Sequence, residues 1–268
     1  MIFSYLCLVF LQKTFLTPMS NYKFIVNPEY KLYASFVECL PRRFDSDGET
    51  VYEGRNMVKV FVEKGQKLVV KRYKRPMLHQ RIDYTFIRKS KARRAYDFGL
   101  RFLECGIDTP VPVACVEEYK FGLFRTGYFV STYCGDPDLR ILREEPKDDL
   151  IEAFAHLVVE MHESGVLHGD LNLSNILYRE DEAEECGYHF TVIDTNRSRF
   201  VGEPTKHQCL RNMMRISHER LLNKRIIGRY AELRGWDKDE CIASVERMLS
   251  AFEKRRSLKR KIRFKKKG

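Results

Sequence analysis

An α+β fold in two lobes, an antiparallel sheet with a helix followed by a mostly helical half, is predicted for this chain by three patterns. Val58–Val62 and Lys67–Lys71 are apolar-rich runs separated by Glu63-Lys64-Gly65-Gln66, which reads as strand, turn and strand. The stretch from Val166 to Leu177 places apolar runs at both ends of a polar loop, and a strand-like run from Tyr188 to Ile193 follows it. From Lys206 to Arg256 the pattern is helical with a break near Gly235. With 268 residues and 44% hydrophobic content, the chain can bury a sizeable core as one bilobal domain or two small lobes.

The elements are expected in this order. Residues 1–18 are an apolar N-terminal segment. Its run from Ile2 to Leu11 has no Lys or Arg before it and no small-residue cleavage site after it, and is shorter than the ~20 residues that span a bilayer. A misassigned start, with Met19 the true one, or an apolar tail fits better than a signal peptide or an anchor. The first lobe is expected over 19–135. It holds the hairpin, then a helix with Ser90 as N-cap, Gly106 as stop and Ala95, Phe98, Phe102 and Leu103 on one face, and last a strand from Thr126 running into a hinge at Gly135. The second lobe covers 136–253 and opens with a helix from Lys147 to Ser164. Asp148, Asp149 and Glu152 lie early in that helix, and Leu150, Phe154, Leu157, Val158 and Met161 recur at helical spacing.

The polar groups between His168 and Asp194 are spaced as phosphoryl transfer requires. In that chemistry an Asp orients and deprotonates the attacking hydroxyl, an Asn five residues on holds a metal, and a second Asp beyond a strand holds the metals bridging the phosphates. Asp170, Asn175 and Asp194 fit those roles, with His168 beside Asp170 at the end of the apolar run Gly165-Val166-Leu167. A lone His-x-Asp is common on surface turns; the complete set with flanking strands is specific. The segment reads as a kinase catalytic loop.

Lys71 ends an apolar triplet and is the natural phosphate-binding lysine, while Lys59 and Lys67 read as solvated strand-face lysines. Its acidic partner stays open, because the early turns of the following helix offer only Asp97. No G-x-G-x-x-G is present. Gly48 and Gly54 flank the segment expected to cover the phosphates, with Arg55 and Asn56 contributing, and backbone groups at Tyr133 and Cys134 would meet the adenine.

The eight cysteines form no C-x-x-C pair and read as reduced, mostly buried thiols, with neither zinc nor a disulfide framework favoured. Charge is concentrated at the end. Residues 254–268 hold ten Lys or Arg and no acid, leaving a formal +1 of the total +11 for everything before them. Leu258, Ile262 and Phe264 interrupt the cations, so this basic tail can lie on an anionic membrane surface. Nucleic acid would attract it too but is not the expected partner.

Several strings resemble the lipopolysaccharide kinases of the Kdo/heptose type: Gly54-Arg55-Asn56, Leu68 to Pro76, Ser90-Lys91-Ala92, Gly106 to Pro110, His168 to Leu177 and Ile193 to Arg197. The likeness runs from about Tyr22 to Asp237. Most discriminating is Arg197, three residues after Asp194, where other kinases usually place Phe-Gly or similar directly after the metal-binding Asp. The resemblance implies a protein-kinase-like bilobal fold, ATP with Mg²⁺ as donor system and a Kdo or heptose hydroxyl of lipid A-linked inner core as acceptor. It also implies a cytoplasmic enzyme peripheral to the inner face of the inner membrane of a Gram-negative bacterium. Gly169 stands where regulated protein kinases have Arg, so control by phosphorylation of an activation segment is not expected. The loop also resembles small atypical kinases of the Bud32 type, which act with a tRNA-modifying partner, although the segment before Lys71 is long for them. A non-catalytic kinase-like binding module is disfavoured, since Lys71, Asp170, Asn175 and Asp194 are all present.

Overall fold

The structure, a computed structural model, describes residues 21–265, with side chains up to Leu258. The apolar segment 1–18 and residues 266–268 of the basic tail lie outside the described residues. The chain divides into two compact units, one of the residues up to Arg93 with Val113–Val130, the other of Arg94–Pro112 with the residues from Ser131 on. The division does not fall at a single point near 135. Phe102 and Ile107 belong to the core of the second unit, and they take most of the helix expected in the first lobe with them.

The first unit is built on a six-stranded sheet. Its strands are β1 (Tyr22–Val26), β2 (Glu49–Glu53), β3 (Met57–Glu63), β4 (Gln66–Arg72), β5 (Pro112–Lys120) and β6 (Leu123–Thr132), in the order β1-β5-β6-β4-β3-β2. The β1–β5, β2–β3 and β3–β4 pairs are antiparallel. The β3–β4 chain reversal uses Lys64 and Gly65, both at positive φ, and sets Val58 opposite Lys71. Alternation along β4 then sends Leu68 and Val70, both fully buried, to one face, and Lys67, Val69 and Lys71 to the other. A helix not anticipated from sequence, α1 (Ala34–Arg43), packs Phe36, Val37 and Leu40 with Phe61, Leu68, Val70 and Val116 in a single cluster. Each such buried side chain contributes about 1.5–3 kcal/mol.

Lys59 corrects an expectation. It is buried rather than solvated, because its β3 position faces the α1 side of the sheet. Its Nζ donates to the carbonyls of Asp45 (3.3 Å) and Asp47 (2.9 Å) and lies 5.4 Å from the Phe44 ring centroid. A buried ammonium is tolerated where backbone acceptors and an aromatic face replace its water.

After β4 come α2 (Leu78–Phe86), also not anticipated, and α3 (Lys91–Glu104). The caps expected for α3 form: Ser90 Oγ accepts from the Arg93 N–H (3.1 Å), and Gly106, at φ +76, ends it with the Ile107 N–H donating to the Phe102 carbonyl (2.9 Å).

In the second unit α4 (Asp148–Glu163) buries Leu150, Phe154, Leu157, Val158 and Met161, the stripe read from the sequence. Short strands follow: β7 (Val166–Leu167), β8 (Ile176–Glu180), β9 (Tyr188–Val192) and β10 (Arg199–Phe200), paired as β7–β10 and β8–β9. The helical end comprises α5 (Lys206–Met213), α6 (Arg220–Leu233) and α7 (Lys238–Lys265), with Gly235 at φ +63 between the last two. The basic tail is thus helical as far as Lys265. Cysteines 115, 209 and 241 are buried, but Cys39 and Cys186 are exposed. Among the described residues no helix is long and apolar enough to cross a membrane.

Candidate active site

The β8–β9 register brings the loop residues together. Ile176 stands opposite Val192, and the Ile193 N–H donates to the Asn175 carbonyl (2.9 Å), so Asn175 and Asp194 occupy the same end of the hairpin. Asp170 joins them through its own carbonyl, which accepts from Asn175 Nδ2 (2.9 Å) and from Asn172 Nδ2 (3.0 Å). With Nδ2 engaged, Asn175 offers Oδ1 as its remaining side-chain atom. Asp194 adopts left-handed backbone angles, φ 60 and ψ 42, and Asn196 Nδ2 donates to its Oδ1. That conformation costs a non-glycine residue about 1–2 kcal/mol, and such strain concentrates at functional sites. An amide oxygen and a carboxylate are hard donors of the kind Mg²⁺ takes, so the set fits that ion.

His168 is fully buried and serves as a frame. Its Nε2–H donates to the Ile193 carbonyl (3.1 Å), which fixes Nδ1 as the acceptor for the Asp170 N–H (3.3 Å). Burial lowers its pKa, so the ring is neutral. Both nitrogens are committed to backbone, which makes His168 a positioning residue rather than a proton carrier.

The Asp170 carboxylate is held by two arginines. Arg197 Nη1 donates to Oδ2 (3.0 Å), and Arg215 Nη2 lies 3.7 Å from Oδ1 while its guanidinium sits 5.2 Å from the Phe252 ring. Asp170 is 22% exposed and Arg197 48%, so their pairing orients the carboxylate more than it stabilises the fold. Arg215 was missed because the segment between α5 and α6 reads as continuous helix.

A buried polar chain, equally invisible in sequence, supports the loop from behind. Asn212 Nδ2 donates to the His168 carbonyl and Asn212 Oδ1 accepts from His162 Nε2 (3.0 Å), leaving His162 Nδ1 to accept from the Tyr230 hydroxyl (2.8 Å). Desolvation pulls the His162 pKa down to about 4, against the opposing hydrogen bond to Asn212.

The remaining expected groups divide between the units. In the first, Lys71 holds its ammonium 5.5 Å from the Tyr73 ring centroid. Gly54, Arg55 and Asn56 form the β2–β3 turn, where the Gly54 N–H donates to the Asn56 carbonyl (3.1 Å) and Asn56 Oδ1 accepts from the Lys74 N–H (3.2 Å). Gly48 has φ +79, and a Cβ there would meet the Phe61 ring at 2.8 Å, so backbone and packing already require glycine. In the second unit Tyr133 and Cys134 directly follow β6; Cys134 Sγ donates to Asp136 Oδ2 (3.4 Å) and burial raises its pKa.

The fold and loop define a phosphotransferase of protein-kinase-like architecture. A family model described as the lipopolysaccharide kinase (Kdo/WaaP) family matches residues 45–230. The chain belongs to that family and is an ATP-dependent kinase of a lipopolysaccharide sugar hydroxyl. No curated protein matches its sequence. Among solved structures it is similar to WaaP in complex with acyl carrier protein, at 19% identity and a TM-score of 0.54, covering 85% of this chain and 98% of that one. It also matches the Rio2 kinase–ADP/Mg²⁺–phosphoaspartate complex from Chaetomium thermophilum, at 15% identity and a TM-score of 0.44, covering 85% and 78%.

Proposed function

We propose that this kinase transfers the γ-phosphoryl group of ATP to a hydroxyl of an inner-core sugar, Kdo or heptose, on lipid A. The observation that carries the assignment of roles is the convergence of Asp170, Asn175 and Asp194 at one end of the β8–β9 hairpin. Asp170 accepts the proton of the attacking hydroxyl as the new P–O bond forms and ADP leaves. Arg197 and Arg215 keep its carboxylate turned for that task, and His168 holds the loop beneath it. Asn175 Oδ1 and the Asp194 carboxylate would hold Mg²⁺, which when bound neutralises charge on the phosphates. Lys71 pairs with those phosphates, the turn of Gly54, Arg55 and Asn56 with Gly48 covers them, and the backbone at Tyr133 and Cys134 meets the adenine. The hard oxygen donors suit Mg²⁺, as they would Mn²⁺ or Ca²⁺.

The acceptor's lipid anchor supports a place at the inner face of the inner membrane, with the basic residues 254–268 drawn to its anionic surface. Incubation with ATP, Mg²⁺ and Kdo-lipid A, followed by mass spectrometry, tests the reading. One added phosphate on the sugar supports it. An unmodified acceptor, with heptosylated core also unmodified, overturns it.

A further inference from the structure

We infer that α2 is a membrane-docking helix that lies in an anionic lipid monolayer. The inference takes from the proposed function only that the acceptor is lipid-linked.

The helix is amphipathic in the wrong sense for a soluble surface. Arg81 and Thr85 turn toward the protein, while His79 is exposed: Arg81 Nε donates to the Phe124 carbonyl (2.7 Å), and Thr85 Oγ1 accepts from the Phe124 N–H (2.9 Å). Tyr84 is buried, with its ring edge-on to Phe124 at 5.4 Å. The apolar side chains face solvent. Leu78 is 60% exposed, Ile82 43% and Phe86 74%, and their spacing of four residues forms one stripe. Met77 (66%) and Ile87 (79%) extend the apolar surface at either end.

This is not the ordinary scatter of surface hydrophobics. Five of the thirteen exposed large hydrophobic side chains among the described residues fall within 77–87. A contiguous exposed apolar face calls for a partner. Charge complementarity selects a lipid surface: exposed Lys74 and Arg75 precede the helix, exposed Arg88 and Lys89 follow it, and the only acid from 74 to 89 is Asp83, which pairs with Arg88. Apolar residues flanked by cations are how an interfacial helix sits between acyl chains and anionic headgroups. The helix is too short to span a bilayer and suits lying in its surface.

The test uses the full-length protein without ATP, so that its outcome is independent of catalysis. Partition is measured by co-sedimentation with vesicles of phosphatidylethanolamine and phosphatidylglycerol and with vesicles of phosphatidylcholine alone. The parent should prefer the anionic vesicles. The triple variant Leu78→Ser, Ile82→Ser, Phe86→Ser, checked for a parental circular dichroism spectrum, should lose at least about tenfold in partition. Independently, the indole of Phe86→Trp should shift its emission to the blue on anionic vesicles and be quenched by spin-labelled acyl chains, beyond any change of Trp236 in the parent. A parent that ignores anionic vesicles, a triple variant that binds them as well as the parent, or an indole that stays in water on the bound protein would each overturn the inference. The first of these results would instead point to a protein covering the face, and the second to the basic residues 254–268 as the attachment.

Discussion

Gly169 and Arg197 are in backbone contact: a Cβ added to Gly169 would lie 2.1 Å from the Arg197 carbonyl oxygen and 2.7 Å from its Cβ. The loop position where regulated protein kinases carry Arg therefore has no room for any side chain. The turn holding Asn196 and Arg197 closes over it, and the same turn delivers a guanidinium to Asp170 from the other side. Gly169→Ala forces one of two backbones to move. Overpacking of this kind costs about 1–3 kcal/mol, read as a lower denaturant midpoint, with turnover falling further because Asp170 moves with the loop. An Ala variant with parental stability and turnover would refute the close approach.

Arg197→Lys keeps the charge but loses the planar fork that meets Asp170 Oδ2. The expected result is a kcat reduced about tenfold or more, with KM for ATP held within about twofold, because in the proposed mechanism the contact orients the base rather than the nucleotide. Steady-state kinetics with ATP varied at saturating acceptor separates the two. A change confined to KM for ATP would place Arg197 on the phosphates instead.

Lys59 and Lys71 lie on opposite faces of the sheet, and their substitutions should separate. Lys59→Met leaves the Asp45 and Asp47 carbonyls without their donor, which costs about 1–3 kcal/mol of stability. Lys71→Met should cost less stability than Lys59→Met while lowering turnover about a hundredfold through lost phosphate positioning. Chemical denaturation and ATP kinetics on both variants check this. Equal loss of stability in the two would contradict the assignment of faces.

His162 gives a pH dependence with a defined sign. Its folded pKa of about 4 lies below the ordinary 6.5, so between those values the unfolded chain binds the extra proton. The stability from keeping this ring neutral is complete above pH 6.5 and is lost as pH falls toward 4, by at most about 3 kcal/mol. The difference in unfolding free energy between the parent and His162→Gln, followed from pH 7.5 to 4, isolates it from titrating carboxylates. The parent's advantage should shrink as pH falls; a constant gap would mean that His162 titrates normally.

The second unit was the more legible half. Its helix α4 shows a clean apolar stripe, and β7, β8 and β9 are marked by apolar runs that end where polar loop residues begin. Residues whose role depends on contacts across the fold left no such mark. Asn212, His162 and Tyr230 come from three helices and form a chain only when these pack. Arg215 reaches Asp170 because the chain breaks between α5 and α6, where no glycine or proline signals a stop. Pro41 inside α1 runs against helix propensity, so that helix left no clear mark in the sequence. In α2 the stripe of Leu78, Ile82 and Phe86 has helical spacing but faces solvent, so the usual rule that such a stripe marks the core fails. Lys59 read as solvated because a lysine's own chemistry says so; only the carbonyls of Asp45 and Asp47 make its burial acceptable.

The most direct test of the account is the Asp170→Asn variant, assayed for phosphate transfer from ATP to Kdo-lipid A in parallel with nucleotide binding by calorimetry. Replacing the carboxylate removes the proton acceptor but leaves Asn175 and Asp194 in place, so transfer should fall by a factor on the order of 10² or more while ATP still binds within a few-fold of the parent. A variant that retains most of the parental kcat would show that Asp170 is not the base and contradict the reading of this loop.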